Sequence, residues 1–279
     1  MGTVLKNEFQ KLLRYKGIYI ALIIGTLIVL GDIYYYYSEI YVRFWEYYNM
    51  GYEKNIGMLQ PPVLMESWIG HNLSSVYSEM FYVLLPFIAV LPFGVTYYEE
   101  IKSGYMKNVV IRVSRRKYVL AKYIVTFVSG GFVCMFPTLL SAWIASLYLP
   151  NIPLNPTAMV SNVSNMSFLS EIFYSKPLLY ILIYSFIAFL FGGIFATMSI
   201  GISHLCDNRF FVYFFPFLLS ICTEYIFNST SLMQYTPNIV VDPNQRVFIE
   251  DKHIFTTLLV MFAISVLSCI PQGHKKNLV

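Results

Sequence analysis

Residues 178–203 read LLYILIYSFIAFLFGGIFATMSIGIS, a run without a single charged side chain. An α-helix rises about 1.5 Å per residue and the hydrocarbon core of a bilayer is about 30 Å thick, so this run is long enough to cross a membrane. Within it, Gly192, Gly193 and Ala196 would let a neighbouring helix approach closely. The run therefore indicates a transmembrane helix.

Five further apolar runs lie on either side of this one, each of about the length that a bilayer requires. A transmembrane β-barrel would instead show segments of about ten residues with alternating polarity. The sequence therefore predicts an all-α integral membrane protein in which residues 1–279 form one transmembrane domain. The six predicted transmembrane helices lie at about 17–37, 80–97, 123–149, 178–203, 210–227 and 254–271.

The composition supports this class. Of the 279 residues, 57% are hydrophobic and 12% are charged, whereas a soluble domain has about 45–50% apolar and about 25% charged residues. So little charge cannot cover a surface that faces water. The composition excludes an ordinary soluble enzyme, a disordered chain and a nucleic-acid binder, and we expect no nucleic-acid partner.

Basic residues are concentrated in one set of flanks. Residues 1–16, 98–122, 204–209 and 272–279 hold 14 of the 19 lysines and arginines. The positive-inside rule places these flanks, and both termini, in the cytoplasm. The first outer loop, at about 38–78, is rich in Tyr and Trp, so we expect it to form a short amphipathic cap at the outer membrane surface.

The sequence carries no pattern typical of catalysis or metal binding. The four cysteines match no zinc spacing, and no Gly-x-x-x-x-Gly-Lys-Ser/Thr loop that would cradle ATP is present. Glu99 and Glu100 invite comparison with the paired glutamates of CAAX-type membrane proteases, but Gly104 stands where that pattern needs an arginine. We expect no catalytic residue, no metal ligand and no cofactor bound by this chain.

Residues 4–15 predict an amphipathic helix in the membrane interface, because their apolar side chains lie near one helical face while Lys6, Lys11 and Arg14 point largely elsewhere. The alternative is a simple basic anchor that sets the topology.

The loop at 98–122 is the most informative polar stretch. Two acids close the second predicted span, a Ser103-Gly104 step follows, and a Ser-Arg-Arg-Lys cluster at 114–117 precedes Lys122. Gly104 can bend the chain and Ser114 could cap a new helix. The stretch predicts a short cytoplasmic helix with apolar and cationic faces that could dock in a groove of a soluble partner.

This loop resembles the coupling-helix region of permeases of the type-two ATP-binding cassette (ABC) exporter family. Glu100, Ser103-Gly104, Ser114-Arg115 and Lys122 match features of that region, and residues 6–13 look like the entry helix of the family. Two positions depart from it, because Tyr105 stands where Thr often follows the glycine and Arg112 stands near a frequent proline.

The resemblance implies that the membrane path and the ATPase are formed by separate subunits. Two permeases, identical or paralogous, would pair in the plasma membrane, and the coupling helix of each would sit in a cleft of a separate ATPase subunit that binds ATP and Mg²⁺. This chain would be a non-catalytic membrane subunit in contact with lipid. The alternative is that the charges at 98–122 only set the membrane topology and form no coupling site. The candidate ATPase-coupling residues are Glu99, Glu100, Ser103, Gly104, Ser114, Arg115, Arg116 and Lys122.

Two further sets are candidates for the transport path. Asp32, Glu79 and Glu224 lie at predicted outer ends of spans, where structural hydrogen bonding and substrate contact are both open. Spans two and five are rich in phenylalanine and, in the family, line the dimer interface and the path. Lipid-facing or packed aromatics are the alternative. The candidates in this set are Phe81, Phe87, Phe93, Phe214 and Phe217.

These observations predict the permease subunit of an ATP-driven exporter that works by alternating access. Its substrate would be amphipathic or hydrophobic, such as an antimicrobial or toxin-like peptide, a lipid or a drug, taken from the cytoplasm or the inner leaflet. An ATP-independent secondary carrier or channel is the alternative.

Overall fold

The computed structural model describes residues 1–50, 61–73, 75–154, 163, 167–203 and 205–274, with the backbone alone at 270–274. Regular secondary structure in these ranges is helical throughout. The α-helices are α1 (Gly2–Arg14), α2 (Lys16–Tyr36), α3 (Val42–Asn49), α4 (Leu64–Ser67), α5 (Val76–Val90), α6 (Thr96–Lys102), α7 (Tyr105–Val110), α8 (Arg115–Ala145), α9 (Ser170–Ser175), α10 (Pro177–Ile202), α11 (Arg209–Ser229), α12 (Pro237–Val241) and α13 (Asp251–His274).

Five helices in the described part of the chain are long and apolar enough to cross a membrane, and α5 is a shorter apolar helix. The prediction of an all-α membrane protein is confirmed. The five long spans are Lys16–Asn49, Arg115–Ala145, Pro177–Ile202, Arg209–Ser229 and Asp251–Cys269.

The second predicted span, at 80–97, is wrong as one continuous helix. Helix α5 ends at Val90 and α6 begins at Thr96. Pro92 has no backbone N–H with which to continue the helical hydrogen bonds, which explains the break. The turn packs tightly on α10, because the Ser199 hydroxyl donates a hydrogen bond to the Gly94 carbonyl over 2.8 Å.

The first span continues further than the sequence predicts. A π-helical turn at Tyr37–Tyr41 joins α2 to α3, so the helix runs for 34 residues from Lys16 to Asn49. Its length is about 51 Å, compared with about 30 Å for the hydrocarbon core. Residues after Tyr36 therefore project beyond the membrane core as helix, and the expectation of a loop from residue 38 is wrong.

Residues 61–73 do not form a surface cap. They lie inside the bundle, where Trp68 is fully buried and its indole N–H donates to the Thr138 carbonyl over 3.0 Å. The backbone N–H of Ile69 donates to the Ser141 hydroxyl over 2.9 Å. Apolar residues around Trp68 favour this buried position over the interface. Residues 51–60 of the predicted cap lie outside the described residues.

Helices α8 and α10 form the centre of the bundle, where small residues allow the close packing that the sequence predicts. A Cβ atom added to Gly130 would lie 2.3 Å from the Ala196 Cβ, and one added to Gly192 would lie 2.7 Å from the Cys134 sulfur. A larger side chain at either glycine would force the two helices apart.

The bundle has two different ends. We call the end formed by α1, α6, α7 and the turn between α10 and α11 the basic end. The other end, which carries α3, α4 and α12, is called the opposite end. Helix α7 lies between α6 and α8, at the position predicted for the coupling helix.

Candidate coupling site at the basic end

A buried lysine joins three helices at the basic end. Lys122 of α8 is fully buried, and its ammonium group donates to the Glu8 Oε2 atom of α1 over 3.0 Å and to the Glu100 Oε2 atom of α6 over 2.9 Å. A buried ion without a partner is strongly destabilising, so these contacts hold the three helices in register.

A second lysine, Lys11, pairs with the same two carboxylates. The Lys11 ammonium group lies 2.6 Å from Glu8 Oε1 and 3.0 Å from Glu100 Oε1, so each carboxylate bridges both lysines. The Tyr118 hydroxyl also donates to Glu100 Oε2. We call Glu8, Lys11, Glu100, Tyr118 and Lys122 the ion cluster, in which two positive and two negative charges balance.

The contacts within the ion cluster favour the charged forms of Glu100 and Lys11. Burial alone would raise the pKa of Glu100, but Lys122, the Tyr118 hydroxyl and Lys11 hold that pKa below its ordinary value. Burial would lower the pKa of Lys11, yet Glu8 and Glu100 outweigh this effect and raise it. The Lys11–Glu100 pair is therefore ionic at neutral pH.

Two aromatic rings complete the walls of the ion cluster. The Lys122 ammonium group lies 4.2 Å from the centroid of the Phe93 ring, and that of Lys11 lies 4.4 Å from the Tyr105 ring. Cations are attracted to aromatic faces at such distances. Phe93 thus packs inside this chain, and Tyr105 connects the cluster with α7.

Further ion pairs attach α6 to the turn between α10 and α11. Arg209 lies 2.7 Å from Glu99, and Lys102 lies 2.5 Å from Asp207. The Tyr98 hydroxyl donates to the Asp207 carbonyl over 2.6 Å. The ion pairs are largely exposed and contribute little stability each. Glu99 pairs with Arg209 and therefore does not take part in the ion cluster.

Helix α7 combines a buried anchor with an exposed face. Gly104 has a φ of 73°, a left-handed conformation that turns the chain into α7 as the sequence predicts. Met106 is buried in an apolar cluster with Tyr97 and Tyr118. Ile111, directly after α7, is 84% exposed.

The structure brings only part of the predicted coupling set together. Glu100 and Lys122 meet in the ion cluster, while Glu99 contacts Arg209 and Arg115 lies half-buried beside Tyr97. Ser114 precedes α8, but its hydroxyl makes no capping hydrogen bond, so that predicted role is wrong. Ser103, Ser114 and Arg116 are exposed and Gly104 is half-buried.

Sequence reasoning missed Glu8, Lys11 and Tyr118 as members of the site. A signal for Glu8 was available, because Leu5, Glu8 and Leu12 share one face of α1 and an acid on an apolar face needs a buried partner. Nothing local indicated that the partner is Lys122, which is 114 positions away along the chain.

The predicted phenylalanine set divides into two groups. Phe81 and Phe93 are buried within this chain, as the packed-aromatic alternative expects. Phe87 and Phe214 stack with ring centroids 4.9 Å apart and are partly accessible, as is Phe217. A role of these three residues in a path or an interface stays a prediction.

The three predicted outer acids all have hydrogen-bonding or ion-pair partners within the chain. Asp32 is buried and accepts a hydrogen bond from the Asn72 side chain over 3.0 Å. Glu79 lies 3.0 Å from Arg246, and Glu224 accepts from the Asn238 side chain over 3.5 Å. Among the described residues, no group of three His, Cys, Asp or Glu side chains could hold a metal ion.

Comparison with known proteins identifies the family. A family model described as "ABC-2 family transporter protein" matches residues 4–204, from α1 through α10, and thus covers the ion cluster and α7. Neither a curated protein nor a solved structure matches the chain. Because the family match covers well over half of the sequence, the chain belongs to the ABC-2 transporter family, as a membrane-spanning permease subunit.

Proposed function

We propose that this permease works in an ATP-driven exporter, with a separate ABC ATPase subunit docked on α7 at the cytoplasmic side. Family membership implies an ABC ATPase partner. The exposed side chains of Lys107 and Ile111 offer a cationic and an apolar contact to a groove of such a partner. ATP and Mg²⁺ would be bound by the ATPase.

The ion cluster is the observation that carries this proposal. Tyr105 of α7 contacts Lys11, and Lys11 shares both carboxylates with Lys122 of α8. A displacement of α7 by the ATPase would therefore act on α1, α6 and α8 together rather than on a flexible loop. Helix α8 packs on α10 at the centre of the bundle, so the displacement could open and close access to a transport path.

A second copy of the permease, or a paralogue, would pack on α11. Only Val212, Pro216 and Ser220 of this helix are buried within one chain. Glu224 is half-buried on the same helix, and a charge that faces lipid is costly. Packing against a second subunit, or lining a water-filled path between the two, would remove that cost.

The substrate would be amphipathic or hydrophobic, such as an antimicrobial or toxin-like peptide, a lipid or a drug. An aromatic face at the opposite end supports this class. Tyr37 and Tyr41 stack with centroids 5.4 Å apart, Trp45 follows at 6.4 Å from Tyr41, and Tyr48 lies 5.4 Å from Trp45. These rings lie on the part of the helix that projects beyond the membrane core, where they could contact a leaving substrate.

A substitution at Ile111, directly after α7, tests the docking step. We expect that Ile111→Asp abolishes co-purification of the ATPase with the permease and ATP-dependent transport in proteoliposomes, because a carboxylate replaces an apolar contact. Leu205→Asp is the matched control, since Leu205 is 77% exposed at the same end but lies in the turn between α10 and α11. Transport by the permease alone, without ATPase or ATP, would contradict the proposal and favour a secondary carrier or channel.

A further inference from the structure

Helices α1 and α7 enclose a cleft of about 330 Å³ at the basic end. Val4, Val109 and Val113 form its apolar part, and Asn7, Asn108 and Arg112 form its polar part. The two asparagines are exposed and can donate hydrogen bonds through their amide groups. Volumes of this size are typical of small-molecule sites.

Arg112 provides a charge that no described residue neutralises through an ion pair. Its side chain is exposed, and it forms no ion pair with any residue in the part of the chain that the structure describes. Asn108 of α7 and Arg112, two residues after the end of α7, line the same cleft. A guanidinium beside amide donors is suited to bind a phosphate group through two hydrogen bonds.

Glu8, the acidic residue that lines the cleft, does not repel an anion. Glu8 lines the cleft, but its carboxylate is held by Lys11 over 2.6 Å and by Lys122 over 3.0 Å. Lys11, Lys122 and Arg112 contribute three positive charges, and Glu8 and Glu100 contribute two negative charges. The cleft therefore has a net charge of +1 and favours a single negative charge.

We propose that this cleft binds the headgroup of an anionic phospholipid. Arg112 would pair with the phosphate, Asn7 and Asn108 would donate hydrogen bonds to its oxygens, and the valines would contact the first apolar groups of the lipid. Amphipathic helices such as α1 lie at the depth of lipid headgroups, and basic clefts between membrane helices bind such groups. A bound lipid would join α1 to α7 and make the position of α7 sensitive to membrane composition.

Lipid binding by the purified full-length permease, without an ATPase, tests this inference independently of the proposed function. The probes are phosphatidylglycerol, phosphatidylcholine and inorganic phosphate, and the readouts are lipid retention by native mass spectrometry and the shift in melting temperature. We expect one tightly retained phosphatidylglycerol. Arg112→Gln should weaken its binding about tenfold or more, in line with the loss of a charged hydrogen bond.

Lys107→Gln is the matched control, because it removes the same charge from an exposed position of α7 that does not line the cleft. We expect it to leave the retained lipid bound. Equal weakening by both variants would overturn the proposal, because it would indicate general attraction between a basic surface and anionic lipid. Displacement of phosphatidylglycerol by millimolar inorganic phosphate would also overturn it, in favour of a site for free phosphate.

Discussion

At Lys122, a single ammonium group pairs with two carboxylates from different helices, the buried one of Glu8 and the half-buried one of Glu100. Such an arrangement is not an efficient source of stability, because desolvation offsets much of the attraction between the charges. It does specify the relative position of α1, α6 and α8, since any shift would leave a buried charge without a partner. This geometric role suits a site that transmits motion.

Removal of the buried lysine should therefore be severe. We expect Lys122→Met to lower the free energy of unfolding by about 3–5 kcal/mol, because Glu8 and Glu100 would lose their buried counter-ion. Thermal unfolding of the purified protein in detergent measures the effect. Adding Glu8→Gln to Lys122→Met should recover part of the loss, since Lys11 then balances the single remaining carboxylate, that of Glu100. Lys6→Met, at an exposed position of α1, is the control, and a loss no larger than that of the control would contradict the buried ion cluster.

Among the elements, α4 differs most from its sequence-based expectation. It carries Glu66, whose carboxylate accepts a hydrogen bond from the Tyr36 hydroxyl over 3.2 Å. Burial raises the pKa of Glu66 to about 7, although the bond from Tyr36 opposes the shift. The folded protein thus binds a proton at Glu66 that the unfolded chain, with an ordinary pKa near 4.5, releases.

This shift predicts a pH dependence of stability. The contribution of a protonated Glu66 is fully present below about pH 4.5 and is lost as the pH rises through about 7, by about 3 kcal/mol in all. Glu66→Gln imitates the protonated side chain. We expect equal melting temperatures for wild type and variant near pH 4.5, and a more stable variant at pH 8.

Wild type and variant share the other groups that titrate in this range, such as His71 and Asp242. The contributions of these groups therefore cancel in the difference between the two melting temperatures. A constant difference between the two proteins from pH 4.5 to pH 8 would show that Glu66 does not take up a proton on folding.

At the scale of the whole molecule, the long helix α11 packs poorly against the rest of the chain. Helix α11 buries few side chains, whereas α10 is buried along most of its length by α5, α8, α11 and α13. An apolar face toward lipid needs no protein partner, but the half-buried carboxylate of Glu224 does not suit lipid. This asymmetry is the basis for placing a second copy at α11.

Cysteine chemistry can test that placement. Cys222 of α11 is exposed, whereas Cys134 and Cys269 are buried. If two permeases pack through α11, their Cys222 side chains lie close together, and we expect mild oxidation of membranes to cross-link them. A disulfide forms only when the two Cα atoms come within about 7 Å, so a cross-link reports this proximity. Cys222→Ser should abolish the dimer, and Leu182→Cys in that background, on the exposed face of α10, should not restore it. Absence of a dimer from Cys222 and also from Ile221→Cys and Tyr225→Cys would contradict an α11 interface.

The sequence by itself determined that this is an all-helical membrane protein, and it indicated the loop that resembles a coupling helix. These are local properties, since apolar runs of helix length and the motif around Glu100 and Gly104 can be recognised without knowledge of distant residues. The break after Val90 was also encoded locally by Pro92, although six uninterrupted spans were expected.

Only the tertiary structure decided which residues form the site. Glu8, Glu100 and Lys122 come from three helices, and the pairing of Glu8 with Lys122 spans 114 positions of the sequence. The same holds for the buried position of residues 61–73, whose hydrogen bonds go to α8. The physical reason is that burial and charge pairing depend on how helices pack in three dimensions, and the apolar pattern of each helix shows that it packs without showing against which partner.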